Sequence, residues 1–364
     1  MNSIIKHRKG LVNTLNQIKL GEVTLGFIGG SITEQTGFHN WPESVINWFM
    51  DSFPDVRINV ENAGISGTAS DLGVFRVQKD IIDRNCNLVF VEYAVNDWFT
   101  PTDKRNRTRE GLIRKLLSGE SRDIVLVYAF RQQMYSDMIN GKVPASIAEF
   151  EEIADHYGIS SVWMGLHSFN EVLQGQMRWE EWLPDGLHPL NRGSYSYGQS
   201  VIAYLEKELV HTLSRVNTEG EPALPAQMFS DNWENACVLP FSEVKTQGPW
   251  KIIRWADNFW IDRVLTTSAV GACLSFKFMG KGVSLATVFG KTSAEFKYRV
   301  DLGEWICVHR ERPHWCGDAG WFKLDNLMDE LPIGMHYFEL KILHGDREEC
   351  SGTNFHLAMI GILK

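Results

Sequence analysis

Two textures divide this chain, and they limit its fold more than any single motif does. Up to about residue 215, short apolar runs alternate with longer amphipathic stretches, the pattern of strands and crossover helices in a parallel sheet. The expected strands are 23–28, 56–60, 88–93, 124–130 and 161–164, mostly rich in Val, Ile, Leu and Phe, as strands covered on both faces must be. Asn40 with Glu43 three positions later has the form of a capping box, and Val45, Ile46, Trp48 and Phe49 give the helix that follows an apolar face. Further helices are expected at 70–83, 104–117, 145–157 and 193–213. Past Val216 the segment NTEGEPALPAQ, with two prolines, a glycine and few large apolar residues, reads as an interdomain connection. The boundary is therefore placed near residue 220. Beyond it, alternating runs such as VSLATVF, EFKYRVDL, HYFELKIL and FHLAMIGIL, separated by Gly, Pro and Asp, predict a β-sandwich.

The expected division is thus an α/β domain with five parallel strands over 1–219 and a β domain over 220–364. A chain of 364 residues is long enough for two such units, each with its own core. The net charge of −9, with no run of Lys and Arg on one expected face, supplies no field for phosphates, so no nucleic-acid partner is expected. The N-terminal stretch mixes charged residues among apolar ones and lacks the continuous apolar run of a signal peptide or membrane span, so the expected location is cytoplasmic. Six cysteines lie scattered with no C-x-x-C pair, which favours free thiols.

Four short segments carry the residue types that chemistry needs, each beyond an expected strand or before the last helix, where open α/β sheets place their sites. In GFIGGSIT, Ser31 follows a buried strand through two glycines and precedes a helix, a turn that exposes a hydroxyl near helix amides. Taken alone, this is also the form of an ordinary turn or cap. It is neither a Walker A loop, lacking Gly-Lys-Ser/Thr, nor a G-x-S-x-G elbow. NAGISGTAS places Gly67 among small residues, where a backbone N–H is open to a ligand. VFVEYAVND ends a strand in Asn96 and Asp97, a polar pair that is commonly just a turn. In LPDGLHPL, Asp185 and His188 stand three residues apart in a Pro-Gly loop, close enough for the carboxylate to accept the imidazole Nδ1–H and leave Nε2 facing a hydroxyl.

In this order and spacing, the four segments resemble the blocks of the SGNH (GDSL-like) hydrolase family. The resemblance covers roughly residues 20 to 215 and implies a flavodoxin-like three-layer α/β/α domain. By motif position it implies that Ser31 is the nucleophile, His188 the general base and Asp185 its orienter. The oxyanion donors would be the Ser31 and Gly67 N–H groups and the Asn96 side-chain amide. The implied chemistry is metal-free and cofactor-free acyl transfer. Two departures stand out: Gly29-Gly30-Ser31 replaces the common Gly-Asp-Ser, and Ala94 replaces the usual Gly two residues before Asn96.

Aromatic and polar residues flank these segments, and Trp98, Arg131, Gln133 and Trp182 are the expected substrate-binding side chains, with Phe99 and Trp179 nearby. Aromatic faces with a few hydrogen-bonding groups suit sugar rings. EFKYRVDLGEW followed by LPIGMHYFELKIL resembles the jelly-roll or carbohydrate-binding-like domains attached to SGNH carbohydrate esterases. Trp250, Trp255, Trp260, Trp305, Trp315 and Trp321 are candidates for a sugar platform or for its core. His309, His314, Cys316 and Asp318 match no standard zinc spacing. The expected function is removal of O-acetyl groups from xylo- or manno-oligosaccharides, the expected partner being the acetylated oligosaccharide and not a membrane. Self-association stays open. The alternatives are a broad acyl esterase or thioesterase, and a carbohydrate-binding protein on a silent SGNH scaffold.

Overall fold

The computed structural model describes residues 2–34, 40–119, 122–210, 223–258 and 260–364. The chain divides into two compact units, residues 1–234 and 235–364. The boundary expected near residue 220 lies outside the described residues. The division falls later because residues 223–234 pack on the first unit. There Trp233 is buried, and the Met228 and Phe229 N–H groups donate to the buried Glu110 carboxylate.

In the first unit, β1 (Ile5–Lys6), β2 (Glu22–Gly29), β3 (Arg57–Gly64), β4 (Leu88–Glu92), β5 (Asp123–Val127) and β6 (Ser160–Val162) form one sheet in the order β1-β6-β5-β4-β2-β3. The five expected parallel strands are all present. The sheet has six strands rather than five, because β1 pairs antiparallel with β6. That short strand covers a sheet edge that would otherwise expose unpaired backbone groups. The residues of β4 and β5 are buried throughout. The apolar run after β5 continues to Phe130, but Tyr128 to Phe130 leave the ladder and fill the core.

The helices are α1 (Val12–Leu20), α2 (Trp41–Ser52), α3 (Ser70–Val77), α4 (Thr102–Leu117), α5 (Tyr135–Ile139), α6 (Ala145–Tyr157), α7 (Met164–Leu173), α8 (Trp179–Trp182) and α9 (Asn191–Leu205). Asn40 caps α2 by accepting the Glu43 N–H at 3.3 Å. The helices expected at 70–83 and 193–213 begin as α3 and α9 and continue as π turns over Gln78–Ile82 and Glu206–Val210, and 211–213 lie outside the described residues. Met164, expected in a strand, begins α7. Among the described residues no helix is long and apolar enough to cross a membrane.

The strand order places the site. From β2 the chain steps outward to β3, then returns past β2 to reach β4, so the direction of winding reverses between β2 and β4. With right-handed crossovers, α2 and α3 then lie on opposite faces of the sheet. A crevice opens where such a reversal occurs, beyond the C-terminal ends of the two strands. Ser31 follows β2 and Asn96 follows β4, so both stand at this switch point.

The second unit is antiparallel. One sheet contains β7 (Cys237–Leu239), β9 (Lys251–Arg254), β10 (Arg263–Thr267), β12 (Gly282–Phe289), β15 (Trp321–Met328) and β17 (Phe355–Leu363). The other contains β8 (Lys245–Gln247), β11 (Cys273–Gly280), β13 (Glu295–Val300), β14 (Ile306–Val308) and β16 (Gly334–Leu343). One apolar core takes Leu265, Leu285 and Leu357 from the first sheet and Phe276, Phe296 and Phe338 from the second. The run expected to stay extended through Leu302 stops at Val300, because Asp301 and Leu302 turn through positive φ.

Candidate active site

The turn after β2 brings a hydroxyl and an imidazole together across 157 residues. Ser31 Oγ lies 2.9 Å from His188 Nε2, and His188 Nδ1 lies 2.7 Å from Asp185 Oδ2. The other Asp185 oxygen accepts the backbone N–H groups of Leu187 at 2.9 Å and His188 at 2.7 Å. Burial acts to raise the Asp185 carboxyl, but the His188 ring and these two N–H groups outweigh it and hold the group below the ordinary carboxylate range. An ionised carboxylate thus faces one ring nitrogen while the other faces a hydroxyl. Such an arrangement can carry a proton away from Ser31 as the oxygen attacks an electrophile.

The loop holding His188 is fixed by its backbone. Gly186 adopts φ +77°, its carbonyl accepts the Gln132 N–H at 2.8 Å, and the Leu190 N–H donates to the Trp182 carbonyl at 2.9 Å. A side chain at Gly186 would be strained in that conformation and would also strike Gln132.

The segments that carry the other expected oxyanion donors, Gly67 and Asn96, are held near the turn that carries Ser31. Ile65 N–H donates to the Gly29 carbonyl at 3.0 Å, tying the Gly67 loop to the end of β2. Gly67 itself has φ +70°. The Asn96 amide packs against the α-carbon of Gly30, next to Ser31. Asn96 opens a short 3-10 turn, Asn96–Phe99, anchored by the wholly buried pair Asp97–Arg109 at 2.6 Å. Asp97 also accepts Ser70 N–H at 2.9 Å and Ser70 Oγ–H at 3.0 Å. Burial raises the Asp97 carboxyl, and Arg109 and Ser70 oppose that shift.

Residues 27–194 match the GDSL-like lipase/acylhydrolase family. The first unit is a GDSL-like lipase/acylhydrolase domain. This match, which lies within the first unit, makes the chain a hydrolase of carboxylic esters. Its fold in both units is shared with a solved two-domain esterase (CEX) active on acetylated mannans, at 23% identity and a TM-score of 0.82, over 98% of this chain and 96% of that one. The same esterase co-crystallized with mannopentaose matches with a TM-score of 0.80 over the same shares, again at 23% identity. An acetylxylan esterase, Axe2 from Geobacillus stearothermophilus, aligns over 54% of this chain and 97% of its own at 22% identity and a TM-score of 0.41. Comparison with curated proteins returns no match.

Against the usual GDSL-like pattern, the glycine at position 30 has a local physical reason. A Cβ there would overlap the Asn96 amide, so this chain leaves the space to Asn96. Gly30→Ala is expected to displace that amide and lower kcat by about 100-fold, with the melting temperature little changed. Steady-state kinetics beside a thermal melt checks this, and an undiminished kcat would contradict it.

The expected substrate-binding residues divide. Trp98, Arg131 and Gln133 form one cluster: the Arg131 guanidinium lies 5.7 Å from the Trp98 ring and 4.4 Å from Phe99, and its Nε donates to Gln133 Oε1 at 2.9 Å. Arg131 Nη1 reaches the Val95 carbonyl, which places the cluster beside Asn96. Burial pushes this guanidinium below the usual arginine value. Trp182 does not join them. It is wholly buried among Phe130, Trp179 and Tyr197, so it supports the histidine loop instead of facing a ligand.

Three residues at this GDSL-like site were not singled out in the sequence. Glu34 accepts the Ser66 N–H at 3.0 Å and the Ser66 hydroxyl, bracing the Gly67 loop from the Ser31 turn. Arg109 fixes Asp97, and Glu92 lies wholly buried at the end of β4. The signal for Glu92 was a carboxylate within an otherwise apolar strand. In the second unit none of the six tryptophans is fully buried, and Trp315, 62% exposed, meets Trp321 edge-on at 5.0 Å. Among the described residues no three His, Cys, Asp or Glu side chains gather as a metal-binding group, and His309 is drawn to Glu295 at 3.3 Å.

Proposed function

We propose that the chain removes O-acetyl groups from manno- or xylo-oligosaccharides through an acyl-enzyme on Ser31. The observation that carries this reading is the continuous hydrogen-bonded line from Ser31 Oγ through His188 to Asp185. His188 takes the Ser31 proton as Oγ attacks the ester carbonyl, then returns it to the departing sugar hydroxyl. Water, activated by the same imidazole, releases acetate. The tetrahedral oxyanion is held by the N–H groups of Ser31 and Gly67 and by the Asn96 amide, in a crevice where such dipoles need no reorganisation.

A sugar is favoured over a lipid by the aromatic and cationic cluster of Trp98, Phe99 and Arg131 beside Asn96. The fold shared with an esterase active on acetylated mannans supports the same class. We read the second unit as a jelly-roll-like, carbohydrate-binding-like domain, with Trp315 and Trp321 as its exposed aromatic pair.

Acetate release from a panel of acetylated manno- and xylo-oligosaccharides, followed with wild type and Asn96→Ala, tests the proposal. The substitution is expected to lower kcat by about 100- to 1000-fold while the fold is retained. Near-full activity in the variant would remove Asn96 from the oxyanion site. Turnover of simple aryl or thiol esters without any oligosaccharide would favour a broad acyl esterase.

A further inference from the structure

Glu92 has no task in the mechanism above, yet it lies at the switch point. It is the last residue of β4, completely buried, and its Oε2 accepts the Thr33 hydroxyl at 3.4 Å. The N–H of Gly30, the residue before Ser31, acts on the same carboxyl and favours its ionised form. Thr33 in turn receives the indole N–H of Trp41 at 3.3 Å, so carboxyl, turn and α2 form one linked assembly.

Two buried oxygens near Gly30 have no hydrogen-bond partner. One is Glu92 Oε1 and the other is Asn96 Oδ1. Both are acceptors if Glu92 is ionised, and a buried acceptor left unpaired is destabilising. A protonated carboxyl supplies a donor in the same place. An ionised Glu92 would in addition set a negative charge beside the oxyanion that forms on the ester carbonyl.

We propose that Glu92 is a positioning residue that works in its neutral form, its Oε2 holding the Ser31 turn through the Thr33 hydroxyl and its protonated Oε1 serving the unpartnered Asn96 Oδ1. The proposal rests on Ser31 being the nucleophile. With Oδ1 engaged, the Asn96 Nδ2 group is left to face the substrate carbonyl. No bond to Glu92 forms or breaks in the reaction.

The surroundings favour the neutral acid. Burial, the largest influence, and the Asp97 carboxylate push Glu92 up to about 8, while Gly30 N–H, the Thr33 hydroxyl and Arg109 on α4 oppose them. Tyr93, the residue after β4, and Tyr197 on α9 are close enough to feel its charge, and either phenol would repel it if both were ionised. Thr33 and Trp41, from the nucleophile turn and α2, are uncharged. The folded state therefore keeps a proton that the unfolded chain releases above 4.5. By linkage this group's contribution to stability is full below that value and is lost as pH rises toward about 8.

The experiment measures kcat and KM for ester hydrolysis from roughly pH 6 to pH 10 in wild type, Glu92→Gln and Glu92→Ala, with intact-mass detection of a serine-directed fluorophosphonate alongside. Glu92→Gln keeps both the donor and the acceptor without a charge. It is expected to rescue kcat near neutral pH and to hold it at alkaline pH where wild type falls. Its melting temperature should exceed that of wild type by a margin that grows with pH. Glu92→Ala is expected to lose on the order of 100-fold in kcat with KM little changed. Three results would each overturn the proposal: Gln as impaired as Ala, the same alkaline fall in Gln and wild type, or full kcat in Ala. If Glu92→Ala does not fold, the Gln pH profile still decides. Failure of the nucleophile reading is separately visible, as phosphonate labelling that persists in Ser31→Ala.

Discussion

Ser31→Ala is expected to reduce ester hydrolysis by up to about a million-fold, leaving only what binding and the oxyanion donors provide. The size follows from the roles assigned to the site. Without Oγ, His188 has no proton to take and no acyl-enzyme can form, so the remaining residues can at best orient a water molecule. KM should move little, because the missing oxygen adds no binding surface of note. A fluorophosphonate should add once to wild type and not to the variant, which an intact-mass spectrum shows directly. Wild type and variant hydrolysing an acetyl ester at the same slow rate would mean a silent scaffold, and the carbohydrate-binding alternative would stand.

Arg109→Ala carries the largest expected effect on stability. Arg109 and Asp97 are both fully buried and 2.6 Å apart, and the guanidinium also lies over the Phe150 ring. Removing the cation leaves a carboxylate in the interior with only Ser70 as its donor. Breaking such a pair typically costs about 3–5 kcal/mol. The carboxyl responds by rising further above its ordinary range, so the folded variant binds a proton that the unfolded chain does not. Its deficit should therefore be larger near pH 8 and shrink toward roughly pH 5, as urea unfolding at the two values would show. Activity should fall as well, since Asp97 anchors the turn that begins at Asn96. An equal deficit at both pH values would mean that packing on Phe150, not charge, is what Arg109 contributes.

Much of the first unit was legible because its strands are buried on both faces and so must be apolar without interruption. Helix α6 came out with both ends in place, since Pro144 precedes it and Gly158, at φ +66°, ends it. Two residues cannot form a pattern, so β1 was invisible. Helix α7 was hidden by a run whose first residues read equally well as strand. Ser31, Asp185 and His188 were legible as a set because each sits in a short segment of distinctive composition. Burial around them was not. Trp182 looked like a cleft lining from its position before Asp185, and only the packing of Phe130 and Tyr197 shows otherwise. Helix α4 misleads in the same way. Its sequence TDKRNRTREGLIRKLL has the look of a solvated surface, yet Arg105, Arg107 and Arg109 are buried beside Glu149, Asp231 and Asp97. Those partners all lie outside the helix, which charge patterning along it cannot reveal.

The segment 223–234 has a bearing on how such proteins exchange parts. The composition breaks before it, but Arg114 grips Glu234, Trp233 stands against Phe75 and Gly111, and Glu110 is buried with Met228 and Phe229 as its donors. A recombination event at the break would strand a buried carboxylate and uncover an aromatic pocket on the hydrolase. The transferable module ends at Glu234, so a gene fusion that swaps the β unit for another succeeds only if it carries these twelve residues with the enzyme.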